Sequence, residues 1–73
     1  MYPREIVRAA LLANAYSAVI MHNHPSGNIR PSEADLTLTQ EISKALSLVN
    51  IELLDHIIVA QNKHFSFKAH MLI

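Results

Sequence analysis

Residues 23–31, NHPSGNIRP, hold two of the chain's three prolines and its only glycine. Proline fixes φ and lacks an amide donor, while glycine admits backbone geometries that other residues resist. Neither a helix nor a strand ladder runs through such a stretch, so it reads as an ordered loop that divides the chain. Before it, residues 4–15, REIVRAALLANA, are predicted to form a helix. Ile6, Ala9, Ala10, Leu11 and Ala13 give that helix a broad apolar face, and Pro3 suits its first turn. Ser17 to Met21, SAVIM, is a short apolar run read as a buried strand ending directly at His22.

After the loop, Ser32 can cap the free N–H groups of a second helix. Asp35 stands where the acid of a capping box would stand. Leu38, Ile42, Ala45, Leu46 and Val49 recur at helical spacing, and Asn50, which tolerates left-handed geometry, marks the expected end. Residues 53–60, LLDHIIVA, read as a strand, Gln61-Asn62-Lys63 as a turn, and His64 to Phe67 as a returning antiparallel strand. Residues 68–73 receive no assignment. The order helix–strand–helix–strand–strand predicts an α/β fold, a small mixed sheet of about three strands with two helices. Its strand–helix–strand unit favours a right-handed crossover between parallel neighbours.

A length of 73 residues supports one domain, residues 1–73, near the lower limit for a chain stabilised by its own core. Disulfides and thiolate metal sites are excluded, because there is no cysteine. The apolar fraction, 51%, is high for so short a chain, so part of the apolar surface is expected to be covered by something else. Six basic and six acidic side chains cancel, which argues against a nucleic-acid-binding stripe; Arg4 and Arg8 form at most a small basic spot. No apolar run is long enough to span a bilayer and no signal-peptide pattern opens the chain, so a cytoplasmic protein is expected.

The chemistry concentrates in HNHPSGNIRPSEAD, residues 22–35. In an extended segment residues two apart point to one side, so His22 and His24 can face a common point. A helix turn can bring Asp35 to them. Two imidazoles and a carboxylate are natural zinc ligands, and three protein ligands leave a fourth position for water, the pattern of a catalytic site. Such a metal lowers the pKa of water and polarises a carbonyl. The other reading is that His-x-His decorates a turn while Asp35 merely serves the helix dipole and its free N–H groups. The two oxygens of Asp35 also allow it both roles.

The run His22-x-His24-Pro25, six residues, then Ser32-x-x-Asp35 resembles the JAMM motif of the MPN-domain metalloproteases. HNHPSG, PSEAD with Thr39, LLDHIIVA, the following FSF and the N-terminal PRE are similar to the RadC-like bacterial branch of that family. The resemblance covers nearly the whole chain. It implies a partial MPN/cytidine-deaminase-like layer and one Zn²⁺ per chain, held by His22, His24 and Asp35 with water as the fourth ligand. It gives the Ser32 hydroxyl the task of stabilising a tetrahedral intermediate. Protease members of the family hydrolyse peptide or isopeptide bonds, so a protein or peptide substrate is implied. The RadC-like branch carries an old label as DNA repair proteins, which the neutral charge does not support.

One family feature has no counterpart here. The general-base glutamate of the family lies on an early strand, which would precede residue 1 of this sequence. Glu5 matches the PRE segment instead, and Glu33 and Glu41 match no catalytic position. The expectation is therefore the C-terminal portion of a RadC-like domain, with very low or no hydrolase activity alone. Uncovered sheet edges and apolar helix surface point to a homo-oligomer. A non-catalytic interaction module and a DNA-repair accessory protein are the alternatives.

Of the remaining polar residues, Asn23 and Ser26 are expected to brace the loop and Arg30 to be solvated. Asp55 and His56 lie on opposite faces of an apolar strand and are read as structural polar groups, not metal ligands. Thr39 and Ser66 are given local hydrogen bonds, and His64 and His70 are expected to be exposed.

Overall fold

The computed structural model describes residues 2–73. Helix α1 spans Pro3–Leu12, strand β1 Ser17–Asn23, helix α2 Glu33–Leu48, strand β2 Glu52–Ala60 and strand β3 Lys63–Ser66. The sheet order is β1-β2-β3, with β1 and β2 parallel and β2 and β3 antiparallel. This is the α/β order read from the sequence, with two helices and a mixed sheet of three strands.

Both helices end through the same device. The Ala15 N–H reaches back to the Ala10 carbonyl at 3.0 Å and the Asn14 N–H to Leu11 at 3.1 Å, with Asn14 at φ 53°. At the end of α2, Ile51 bonds Leu46 at 2.9 Å and Asn50 bonds Ser47 at 3.0 Å, with Asn50 at φ 61°. These are Schellman closures, in which a left-handed residue satisfies the last carbonyls. Asn50 stops α2 where the sequence placed its end. Asn14 stops α1 at Leu12, short of the residue 15 expected from periodicity, because the backbone turns before the apolar pattern does.

Helix α2 packs against both α1 and β2. The core is Ala10 of α1, Ile20 of β1, Ile42 and Leu46 of α2, then Ile51 and Leu53. Burying side chains as large as Ile42 and Leu46 stabilises the fold by roughly 1.5–3 kcal/mol each.

Strand β1 is not buried as SAVIM suggested. Ile20 is 6% exposed, but Val19 and Met21 on the other face are 51% and 61% exposed. The strand lies at the sheet edge, and only the side facing the helices is covered. It also continues through His22 to Asn23.

The parallel register slips once. Ala18 pairs with Leu53 and Val19 with Asp55, so Leu54 is an extra residue in β2. A bulge of this kind reverses the alternation of faces beyond it. Leu53 and His56 are three apart, which in a regular strand puts them on opposite faces, yet both are buried. Among the described residues, no helix is long and apolar enough to cross a membrane.

Candidate metal site

The site lies where β1 leaves the sheet and α2 begins, the carboxyl end of a parallel strand where open α/β sheets commonly bind ligands. In β1 the half-covered and buried positions are Ala18, Ile20 and His22, while Val19, Met21 and Asn23 are exposed. His24 lies just beyond the strand, but its N–H still donates to the Val59 carbonyl at 3.0 Å. That bond keeps the backbone extended for one more residue, so the rings of His22 and His24 share a side, 4.7 Å apart.

The third group comes from the first turn of α2. Ser32 accepts from the Asp35 N–H at 3.0 Å, and Asp35 Oδ2 accepts from the Ser32 N–H at 2.8 Å, a complete capping box. The cap fixes the carboxylate where it meets both rings: Oδ2 is 3.3 Å from His24 Nε2 and Oδ1 is 3.6 Å from His22 Nε2. Asp35 thus caps the helix and faces the histidines at once. One ligand atom from each of His22, His24 and Asp35 lies within 4.8 Å of the others, a group able to hold a metal ion.

The donor set fits a cation. His24 Nδ1 lies 2.7 Å from the Asn28 carbonyl oxygen, which can only accept, so that nitrogen carries a hydrogen. In the neutral ring Nε2 then keeps its lone pair, aimed at a carboxylate oxygen. A lone pair and a carboxylate facing each other repel unless a positive charge lies between them. His22 Nε2 lies 3.6 Å from the other oxygen of the same carboxylate.

The charge states suit metal binding. Burial, reinforced by the neighbouring His24, holds the His22 pKa below its usual value against the attraction of Asp35. Burial pushes Asp35 up, but the hydrogen bonds from Ser32 and the nearness of His22 and His24 outweigh it and leave the carboxyl below its ordinary range. A neutral imidazole and an ionised carboxylate are the forms that ligate.

The loop between these elements is braced by Ser26 and Asn28. Ser26 Oγ accepts from the Asn28 N–H at 3.4 Å, and Asn28 Oδ1 accepts from the Arg30 N–H at 3.0 Å. Asn23, expected to share that task, lies on the exposed face, and Arg30 is exposed as expected. Gly27 has φ 83°, and a Cβ there would come 3.0 Å from Gln61 Nε2. The Ser32 hydroxyl oxygen accepts from Asp35 N–H, which leaves its hydrogen for a further acceptor. Glu5 and Glu33 are exposed in the first turns of their helices.

Behind the site, sequence reasoning missed a connection. His56 is fully buried, with Nε2 2.7 Å from His22 Nδ1 and Nδ1 2.6 Å from Thr39 Oγ1. Thr39 also makes the local bond expected of it, donating to the Asp35 carbonyl at 2.7 Å. The His56 ring touches one of the candidate ligands. The available signal was a histidine at the middle of an apolar strand paired with the strand carrying His22, and a threonine one turn after Asp35.

Asp55 faces away and organises the C-terminal residues. It accepts from Ser66 Oγ, from the Lys68 N–H at 3.0 Å and from the His56 N–H at 2.7 Å. Burial raises its pKa, but these bonds, led by that from Ser66, bring it below the ordinary carboxylate value. His64 and His70 are exposed, and the His70 ring stacks on Phe65 at 4.1 Å.

A family model described as RadC-like JAB domain matches residues 1–72. A UPF0758 protein of Chlorobaculum tepidum is 49% identical over 73 residues, 100% of this chain and 33% of the relative. UPF0758 proteins of Burkholderia thailandensis and Herminiimonas arsenicoxydans are each 54% identical over 67 residues, 92% of this chain and 26% and 30% of their own lengths. The chain thus spans about a third or less of the curated relatives it matches.

Proposed function

The chain belongs to the RadC-like JAB domain family, and on that premise we propose that His22, His24 and Asp35 hold one Zn²⁺ in a domain built for amide hydrolysis. One observation carries the reading: two imidazole Nε2 atoms and a capped carboxylate converge on one point at the end of a strand. Zinc bound there supplies Lewis-acid polarisation of a carbonyl and acidification of water. The chain's own residues hold and orient. His22 and His24 present lone pairs, the capping box immobilises Asp35, and the Ser32 hydroxyl has a hydrogen to donate to a developing oxyanion.

The three-residue group contains no further carboxylate to accept a proton, so this chain alone is expected to show very low or no turnover. The substrate class proposed for the full relatives' architecture is a peptide or isopeptide. A second copy of this chain is proposed to cover the outer face of β1 and the apolar groove between α1 and β1, lined by Ile6, Ala9, Ala18 and Met21. A non-catalytic interaction module is the second reading, favoured by that exposed face.

Metal content by inductively coupled plasma mass spectrometry, beside a His22→Ala/His24→Ala variant, tests the site. Near one zinc per chain, lost in the variant, supports it; no uptake on adding zinc overturns it. Metal-dependent cleavage of a fluorogenic peptide by the chain alone, abolished by His24→Ala, would overturn the expectation of inactivity.

A further inference from the structure

We propose that His56 and Thr39 are positioning residues for the metal site. A buried relay from the Asp35 carbonyl through Thr39 and His56 holds His22 as its Nδ1–H tautomer and dedicates His22 Nε2 to the metal. The proposal rests on the zinc reading above for its purpose, but its geometry stands independently.

The direction of each bond follows from counting hydrogens. The Asp35 carbonyl only accepts, so at 2.7 Å the single hydroxyl hydrogen of Thr39 points to it. The 2.6 Å contact between Thr39 Oγ1 and His56 Nδ1 must then use a hydrogen on His56 Nδ1. The ring is fully buried and stacks on Phe67 at 4.5 Å, with planes 10° apart. Among the described residues no carboxylate hydrogen-bonds to the ring, and a ring so buried without such a partner is favoured in its neutral form. A neutral ring with Nδ1–H has a lone pair at Nε2. The 2.7 Å contact with His22 Nδ1 is therefore a bond that His22 donates.

The consequence falls on the other side of the His22 ring. With its hydrogen on Nδ1, the lone pair is on Nε2, the atom 3.6 Å from Asp35 Oδ1. Metal-ligating histidines commonly have their other nitrogen tied in this way, which fixes the tautomer and ring orientation. His24 uses a backbone carbonyl for the purpose, at Asn28. His22 uses a side-chain relay that starts at the backbone of the residue whose carboxylate it faces. The relay thereby couples α2, β2 and β1 behind one ligand.

The test has two readouts on the 73-residue chain, ¹⁵N-labelled and metal-free, with Thr39→Val, Thr39→Ser and His56→Phe. Two-bond ¹H–¹⁵N correlation spectra report ring tautomers. The expected result is Nδ1–H for both His22 and His56 in the parent and in Thr39→Ser, and mixed tautomers in Thr39→Val. Zinc affinity, by competition with a chromogenic chelator, should fall about 10–100-fold in Thr39→Val and His56→Phe. Thr39→Ser should stay within a few-fold of the parent. Circular dichroism melting confirms that Thr39→Val is folded, since valine keeps the shape of threonine even if His56→Phe does not fold. An Nε2–H tautomer at His22 in the parent overturns the relay. So does a folded Thr39→Val with unchanged tautomers and unchanged zinc affinity. Failure of every form to bind zinc, with His22 in the Nδ1–H form, overturns the zinc reading and supports the relay.

Discussion

The Ser32 N–H donates to Asp35 Oδ2 at 2.8 Å, and the same oxygen lies 3.3 Å from His24 Nε2. Helix capping and the candidate site therefore share one atom. The carboxylate is held for the metal by a bond whose first role is to start α2.

Because the two roles coincide, they can be separated by substitution. Asp35→Ala is expected to abolish zinc binding and to lower stability by about 1 kcal/mol through the lost cap. Asp35→Asn retains an oxygen for the Ser32 N–H, so its stability should stay near the parent's while zinc affinity still collapses. Urea denaturation beside metal content checks both; equal destabilisation by the two changes would count against the shared role.

Zinc should stabilise the folded chain by mass action. At a free concentration about 100 times the dissociation constant the gain is about 2.7 kcal/mol, read as a rise in melting temperature that a chelator reverses. The His22→Ala/His24→Ala variant should show no such rise in the same thermal scan.

Gly27 occupies φ 83°, where a β-carbon strains the backbone, and its neighbour Asn28 holds the His24 ring. Gly27→Ala is expected to cost about 1 kcal/mol or more. It should also weaken zinc binding by displacing the Asn28 carbonyl. Chemical denaturation and a zinc titration of this variant give the two numbers.

Asp55 predicts an acid limb. Its carboxyl is depressed in the folded state by the bonds from Ser66, Lys68 and His56, despite burial. Its contribution to stability is therefore present above the unfolded-chain pKa of about 3.9 and is lost as pH falls through the lower folded value. Asp55→Asn should cost about 1–3 kcal/mol at neutral pH by weakening these bonds. Denaturation midpoints measured from pH 6 to pH 2 should fall less steeply for the variant than for the parent.

Val19 and Met21 lie on the uncovered face of an edge strand. Charges there should leave the fold intact and reduce self-association. Light scattering after size exclusion is expected to show the parent as a dimer or larger and Val19→Lys/Met21→Glu as a smaller species. A parent that is monomeric at high concentration would remove the proposed second copy.

Local chemistry made most of the architecture legible in the sequence. The proline and glycine of the 25–31 loop, the Ser32–Asp35 cap, the repeat from Leu38 to Val49 and the His22–His24 spacing each act over a few residues. Their outcomes, a strand, a loop, a helix and two rings on one side, follow from backbone geometry that no distant contact had to supply. What the sequence did not reveal is set by pairing between segments far apart in the chain. That β1 is an edge, with Val19 and Met21 uncovered, depends on which strands lie beside it. The bulge at Leu54 turns His56 to the same side as Leu53, and strand alternation read from the sequence cannot anticipate an unpaired residue. Only that turn places an imidazole of β2 between Thr39 of α2 and His22 of β1, because hydrogen bonds across 17 and 34 residues exist only once the layers have packed.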